Sequence, residues 1–463
     1  MLAATAKLTI GTNSLGVQAR MTIEAAAPGS EVFGAAMLGR FRGWLDRSPV
    51  AFSVYGGLMA FGTYFAMYAY RKPFAAASFT DVTASPHILG VVLDFKVALV
   101  MAQVMGYALS KFIGIKFVSE LPARFRALAI LGLIGAAQLA LVGFAYVPAP
   151  WNIAMLFLNG LPLGMIWGMV FGFIEGRRTT EVMGSILCAS FIIASGAVKA
   201  VGKGFLLAGT ATDFTMPMQT GFVFLPLLLV CVAGLASLPP PNAADIAARV
   251  KRAPMDGAAR AAVFARYAAG LIALILLYVL LTALRDFRDN FSAEIWADAG
   301  LANKAELFAL SELPIAAVVL IAMALLGLFK SNRLAIIANI ALIGFGLAVT
   351  GAASLAFYFH WIGPVAWMIL LGGGLYLAYT PYNGALFDRL LAATGSIGTA
   401  GFFIYIADSC GYLGTVGLLM IKNFIGLTLP WTAFLVMMAM ASAVIGIALL
   451  GFAAWYFQRK LAN

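Results

Sequence analysis

The sequence predicts an all-α integral membrane protein of twelve transmembrane helices in two pseudo-symmetric six-helix halves. Three observations lead there. Hydrophobic residues make up 63% of the chain against 11% charged, and the mean hydropathy is +0.96, which leaves more apolar surface than a soluble core can bury. The apolar runs reach the roughly twenty residues a helix needs to cross a bilayer, without the alternation of a barrel strand. Helices satisfy their own backbone, which lipid cannot do. Finally, one long polar interruption, residues 239–262, divides the apolar runs into two sets of six.

Residues 1–45, rich in Ala, Thr and Gly with scattered charge, read as a flexible cytoplasmic tail. They lack the continuous apolar core of a signal peptide. FRGWLDR (41–47) reads as an amphipathic lead-in lying in the membrane interface. Spans are expected near 49–72, 88–112, 125–147, 151–174, 183–207 and 217–238, then near 263–286, 306–329, 334–358, 362–387, 396–421 and 430–457. The halves are therefore 46–238 and 263–463, joined by the Pro-, Ala- and charge-rich cytoplasmic linker 239–262. They correspond at a constant offset of 214 residues: Arg71 maps onto Arg285, GLPL (160–163) onto GLYL (374–377), and Gly184 onto Gly398. Parallel six-helix repeats about an axis along the membrane normal are the design of major facilitator transporters.

Cations set the orientation. Arg124, Arg126, Arg177, Arg178, Arg333 and Arg389 fall on one side with the linker cations, whereas the other side holds little besides Lys96, Lys304 and Lys422. The positive-inside rule puts both termini in the cytoplasm, and the chain reads as a multi-pass protein of a bacterial inner membrane. These loops account for the net charge of +11 without nucleic acid as a partner. Cys188, Cys231 and Cys410 lie inside apolar segments with no metal spacing, and His87 and His360 fall in short external loops. No nucleophile–base, metal or cofactor motif accompanies a span, so an enzyme is not expected.

Ionisable residues inside spans are expensive and point to function unless a bland role explains them. Arg71 and Lys72, in YFAMYAYRKPF (64–74), have two readings: snorkelling to headgroups, or facing a cavity. The ladder of Tyr64, Tyr68, Tyr70 and Phe74 favours a cavity wall at Arg71. LTALRDFRDNF (281–291) is either a self-neutralising helix end, with Arg285 paired to Asp289 at i,i+4, or a place from which Arg285 meets Arg71 across the central axis. Two guanidiniums so placed form a bidentate fork for an oxyanion. Lys111 either snorkels or enters the cavity, and Lys199 and Lys203 share a helix face near the cavity or external mouth. Glu312 and Asp408 are either proton-coupling groups or structural partners of these cations, and Asp94 and Lys96 are expected to pair locally. Tyr376, Tyr379, Tyr382 and Asn383 surround Pro381, which is expected to kink span 10. The tyrosine hydroxyls serve either substrate or helix packing.

At these residues the sequence resembles the organophosphate:phosphate antiporter family of the major facilitator superfamily. The likeness rests on YAYRKPF (68–74), SKFI (110–113), LRDFRDNF (284–291), and GTAGF (398–402) with GYLG (411–414), and runs through most of the chain at low identity. It implies a phosphate site at Arg71 and Arg285, with Lys111 nearby in the cavity. Ser190 stands where glycerol-phosphate members carry a histidine, and Lys199, Lys203, Asp286 and Asp289 also depart from the pattern, so the branch is divergent.

The expected function is a secondary active transporter, working as a monomer in membrane lipid. It would move a small organic anion, a phosphorylated or phosphonate-like metabolite, by alternating access in exchange for phosphate. The alternatives are a proton-coupled symporter of a carboxylate, peptidoglycan fragment or lipid-like anion, and a non-transporting sensor of a sugar phosphate. The expected substrate-binding residues are Arg71, Arg285, Lys111, Tyr68, Lys199 and Tyr379, with Glu312, Asp408 and Asp289 as coupling or charge-pairing residues.

Overall fold

The computed structural model describes residues 28–82, 86–88, 91–177, 179–241, 245, 257–329, 331–383, 386–393, 400–424 and 429–462. Within the stretch expected as a tail, the chain is helical from Pro28, where α1 (Pro28–Arg47) begins. Ser48 then caps α2 (Pro49–Tyr68), accepting the Ala51 N–H at 3.2 Å with Pro49 in the first turn.

The second span starts later than the expected residue 88. His87–Ile88 (β1) and Val91–Val92 (β2) instead form a short antiparallel hairpin, and α3 runs Phe95–Glu120. The reason is local: Asp94 accepts the Val97 N–H at 2.9 Å as an N-cap, so Asp94 and Lys96 do not pair with each other. Next come α4 (Arg126–Tyr146), then α5 (Ile153–Leu163) and α6 (Ile166–Ile174), which divide the fourth span at Gly164 and Met165 just beyond Pro162. α7 (Thr180–Leu207) and α8 (Met216–Ser237) complete the first set. Of the expected linker, residues 239–241, 245 and 257–262 are described: Asp245 is paired with Arg177 at 3.4 Å, and 257–262 are already helical.

The second set opens with α9 (Gly257–Asn290), broken at Tyr267, and the short buried α10 (Ser292–Asp298). The eighth span is α11 (Leu307–Leu310) with α12 (Glu312–Gly327), followed by α13 (Asn332–Tyr358). α14 (Pro364–Asn383) contains Pro381, where a kink was expected, and α15 (Leu386–Ala393) follows. The last spans are α16 (Ala400–Phe424) and α17 (Trp431–Ala462). Gly398 and the start of GTAGF lie outside the described residues.

Eleven helical stretches among the described residues are long and apolar enough to cross a membrane, which makes this a multi-pass membrane protein. α14, the expected tenth span, is 20 residues long but diluted by three glycines and three tyrosines. Successive spans alternate in direction, so α2, α7, α9 and α16 end on the face opposite the described chain ends, here called the distal face. α3 packs on α16, and α7 on α11 and α12, joining spans on either side of residues 239–262. Gly196 makes the second of these contacts possible, because a Cβ there would overlap the Phe308 carbonyl oxygen.

Candidate functional site

The site begins where α2 stops. The chain turns through Ala69–Lys72 before Pro73, which has no N–H to continue the helix and instead opens a 3₁₀ turn, Pro73–Ala76. Non-helical backbone at membrane depth is tolerated only where protein satisfies it, and two buried amides do so. Asn159 donates to the Tyr70 carbonyl at 2.9 Å and the Ala137 carbonyl at 3.0 Å, while Gln103 donates to the Arg71 carbonyl and to Asn159 Oδ1, both at 2.8 Å. The turn is thereby pinned to α3, α4 and α5, with Arg71 and Lys72 directed inward.

Arg71 and Arg285 line one cavity with Lys72, Asp286 and Asp289, and Tyr68, Phe191 and Tyr376 complete its wall. The cavity's charges are unevenly matched. Lys72 meets Asp289 Oδ2 at 2.6 Å and Asn290 Oδ1 at 2.8 Å. Asp289 Oδ1 accepts from Lys199 at 2.7 Å and from the Ser195 hydroxyl at 2.5 Å, and Lys199 also donates to Ser292 at 2.9 Å. Arg285 donates to Asp286 at 2.8 Å and stacks 4.2 Å over the Tyr379 ring, while Thr415 donates to the other Asp286 oxygen at 3.1 Å.

Arg71 differs from all of these. It is 4% exposed, makes no ion pair among the described residues, and its Nε has no hydrogen-bond partner. Its guanidinium lies 3.8 Å from the Tyr107 ring centroid and 6.0 Å from that of Tyr68. Counting Lys199, four cations face the two carboxylates Asp286 and Asp289. Buried charges are costly unless compensated, so the arrangement is short of negative charge, most acutely at Arg71.

The other expected site residues fall beside this cavity. Lys111 does not snorkel: it is buried, 3.3 Å from Asp408 Oδ2, and stands 5.5 Å from the Tyr107 centroid. Asp408 Oδ1 accepts from the Tyr278 hydroxyl, which lies 2.8 Å from that of Tyr379. Tyr379 thus contacts Arg285 with its face without lining the cavity. Glu312 pairs with Arg288 at 2.9 Å. Asp289 pairs with Lys72 and Lys199, not with Arg285 as the i,i+4 spacing allowed, because Arg285 turns to the adjacent Asp286. Lys203 is partly exposed. Lys96, expected beside Asp94, reaches across to Glu294 at 2.5 Å and the Ala75 carbonyl at 2.9 Å. Burial pushes the Glu294 carboxyl above the ordinary glutamate range, with the Lys96 charge opposing.

Sequence reasoning missed Tyr107, Tyr278, Gln103, Asn159 and Phe191. Tyr107 precedes Lys111 by one helical turn and Tyr278 precedes Arg285 by two, so helical spacing from the charged residues was an available signal for both. Phe191 carried no signal among the many apolar residues of its span. Among the described residues no group of His, Cys, Asp and Glu could hold a metal ion.

A family described as "Family of unknown function (DUF5690)" matches residues 73–460, and the chain belongs to it. No curated protein sequence matches the chain. Solved structures with a similar fold include the nucleoside transporter NupG, with 14% identity, a TM-score of 0.58, and coverage of 86% of this chain and 98% of that one. A POT family transporter in complex with 5-aminolevulinic acid shows 13% identity and a TM-score of 0.55 over 87% and 96% of the two chains. A D-xylose-proton symporter shows 13% identity and a TM-score of 0.53 over 85% and 96%. At these identities the likeness establishes the fold: this is an all-α membrane protein of the major facilitator type.

Proposed function

We propose that this member of the DUF5690 family is a secondary active transporter that carries a small organic anion, phosphorylated or phosphonate-like, across the membrane by alternating access. The observation that carries the reading is Arg71, a buried guanidinium with no carboxylate partner among the described residues, in a cavity lined by more positive than negative charge. An oxyanion there supplies the missing charge. Arg71 has its planar fork free for a bidentate contact, and Arg285 offers the donors that Asp286 does not occupy. Tyr68, Tyr376 and Phe191 bound the site with their rings and side chains.

Binding acts on transport through charge. Without an anion, the positive surplus opposes the approach of the elements that carry Arg71 and Arg285. With one, the two sides are drawn together, so loaded carrier switches faster than empty carrier and the anion exchanges for phosphate. Opening the distal face breaks the contacts of Lys72 and Lys199 with Asp289 and of Lys96 with Glu294. Both termini lie in the cytoplasm of a bacterial cell in this reading, and the transporter acts as a monomer in the inner membrane. A second reading, proton-coupled symport of a carboxylate, is favoured by the buried Lys111–Asp408 pair, since carboxylates also fit an arginine fork.

The test is uptake of labelled phosphate into proteoliposomes, with and without internal phosphate, by the wild type and by Arg71→Ala and Arg285→Ala. Uptake that requires internal anion and is lost in both variants is expected. Phosphate that is inert while a carboxylate is accumulated under a proton gradient would replace the first reading with the second. A transported anion handled normally by both variants would leave Arg71 a packing residue only.

A further inference from the structure

The buried carboxylates are not equally held. Asp289 meets two lysines at 2.6 and 2.7 Å, Asp286 an arginine at 2.8 Å and Glu312 an arginine at 2.9 Å. An arginine stays charged and offers a carboxylate a planar fork of donors. Asp408 has one lysine, Lys111, at 3.3 Å, supplemented by the Tyr278 hydroxyl. The groups around it come from four elements: Lys111 and Tyr107 on α3, Tyr278 on α9, Tyr379 with Asn383 on α14, and Tyr405 and Tyr412 on its own α16. Apart from Lys111, all of these are uncharged. Losing Lys111 would therefore leave Asp408 with hydroxyl donors alone, which a neutral carboxyl tolerates and a buried carboxylate does not.

Asp408 is also wired to both arginines of the cavity. The Tyr107 ring carries Arg71 at 3.8 Å and Lys111 at 5.5 Å, and Tyr379 carries Arg285 at 4.2 Å while touching Tyr278 through its hydroxyl at 2.8 Å. Lys111 stands beside both Asp408 and the Tyr107 ring. It is a point charge on a flexible stem, placed between Asp408 and the rings that bound the unpaired guanidinium.

We propose that Asp408 is the proton site of the carrier and that Lys111 couples it to the anion. The proposal rests on the anion-site reading above and adds the coupling ion. An anion on Arg71 and Arg285 attracts the Lys111 ammonium away from Asp408. Asp408 then takes a proton from a hydronium ion, forming one O–H bond and leaving water, while Lys111 keeps its three protons and has the anion as its counter-charge. Anion and proton thus bind together whether the outward partner is phosphate or nothing. The pair also ties α3 to α16, so protonation loosens a contact between the two sets of spans.

The test measures proton uptake on binding of inorganic phosphate to the purified full-length protein, by calorimetry in two buffers of different ionisation enthalpy across a pH series. Wild type is compared with Asp408→Asn, so that the titration of phosphate itself cancels. The expected result is that wild type takes up about one proton more per phosphate than the variant, and that the variant's affinity lacks the rise toward acid pH seen in wild type. Equal proton uptake in the two proteins would overturn the proposal and leave the anion site standing. Failure of wild type to bind phosphate at all would overturn the anion reading and the coupling with it. Should Asp408→Asn not fold, Tyr278→Phe serves. It removes a hydrogen bond to Asp408 and is expected to move the midpoint of the pH dependence of phosphate binding, while an unmoved midpoint would overturn the proposal.

Discussion

Arg71 and Arg285 stand 214 residues apart, Arg71 in the turn after α2 and Arg285 inside α9, and their surroundings give them different work. Arg285 is already held by Asp286, whereas Arg71 rests on tyrosine rings. Arg71→Lys, which keeps the charge and loses the planar fork, is therefore expected to weaken phosphate binding by about tenfold or more, the worth of one charge-assisted hydrogen bond. Asp286→Asn is expected to do the opposite, tightening phosphate binding by releasing Arg285. Calorimetric titration of each variant checks both, and an unchanged affinity in Asp286→Asn would mean that Arg285 takes no part in the site. Asp289 bears a structural load as the shared counter-charge of Lys72 and Lys199. Asp289→Asn strands two buried ammonium groups, and a loss of about 3–5 kcal/mol of stability is expected, read as a lowered unfolding temperature in detergent. The arginines were legible in the sequence because charge inside an apolar run is rare. Tyr107 and Tyr278 were harder to see because tyrosine is common in such runs, and what marks these two is contact with a charge.

At the scale of elements, the turn after α2 shows how little of a site lies in its own segment. Pro73 announces that the helix ends, but the direction of Arg71 and Lys72 is fixed by Gln103 on α3 and Asn159 on α5. Asn159→Leu removes the donor to the Tyr70 carbonyl and leaves Gln103 short of an acceptor. A destabilisation of about 1–3 kcal/mol is expected, with weaker phosphate binding although the residue touches no substrate. Thermal unfolding and titration of the same preparation would show whether the two losses travel together; intact binding would mean that Arg71 is positioned by other contacts. The late start of α3 is a related lesson. Apolar residues from 88 onward suited a span, yet His87 and Ile88 pair with Val91 and Val92 as strands, and the Asp94 cap, visible only as one acid among loop residues, sets the true beginning.

At the scale of the molecule, the distal face is closed by contacts between segments far apart in sequence. Lys96 on α3 meets Glu294 on α10, and Asn423 at the end of α16 accepts from the Asp94 backbone N–H at 3.1 Å. Glu294 makes this closure sensitive to pH. Its carboxyl is raised by burial, so the folded protein holds that proton more tightly than the unfolded chain does. The resulting stabilisation is complete below the ordinary glutamate value and is lost as pH rises through the raised one. Glu294→Gln cannot ionise, so its unfolding temperature is expected to fall less than that of wild type from about pH 4 to about pH 8. Parallel curves for the two proteins would remove Glu294 from the closure.

The sequence by itself determined that the chain spans a membrane as helices, that its helices fall into two similar sets, and which rare charges lie among them. Each of these follows from the cost of exposing backbone or charge to lipid, and that cost is written in composition and spacing. Which charge meets which was decided only by the tertiary structure. Arg285 had Asp286 and Asp289 within one turn, Lys96 had Asp94 beside it, and the pairs that form include Lys72 with Asp289 and Lys96 with Glu294, roughly two hundred residues apart. Spacing ranks local partners, but a buried ion chooses by three-dimensional distance and by what else is desolvated around it. Among the described residues Arg71 is left without an ion-pair partner by that same selection, and so the candidate site emerges only when all the helices are in place.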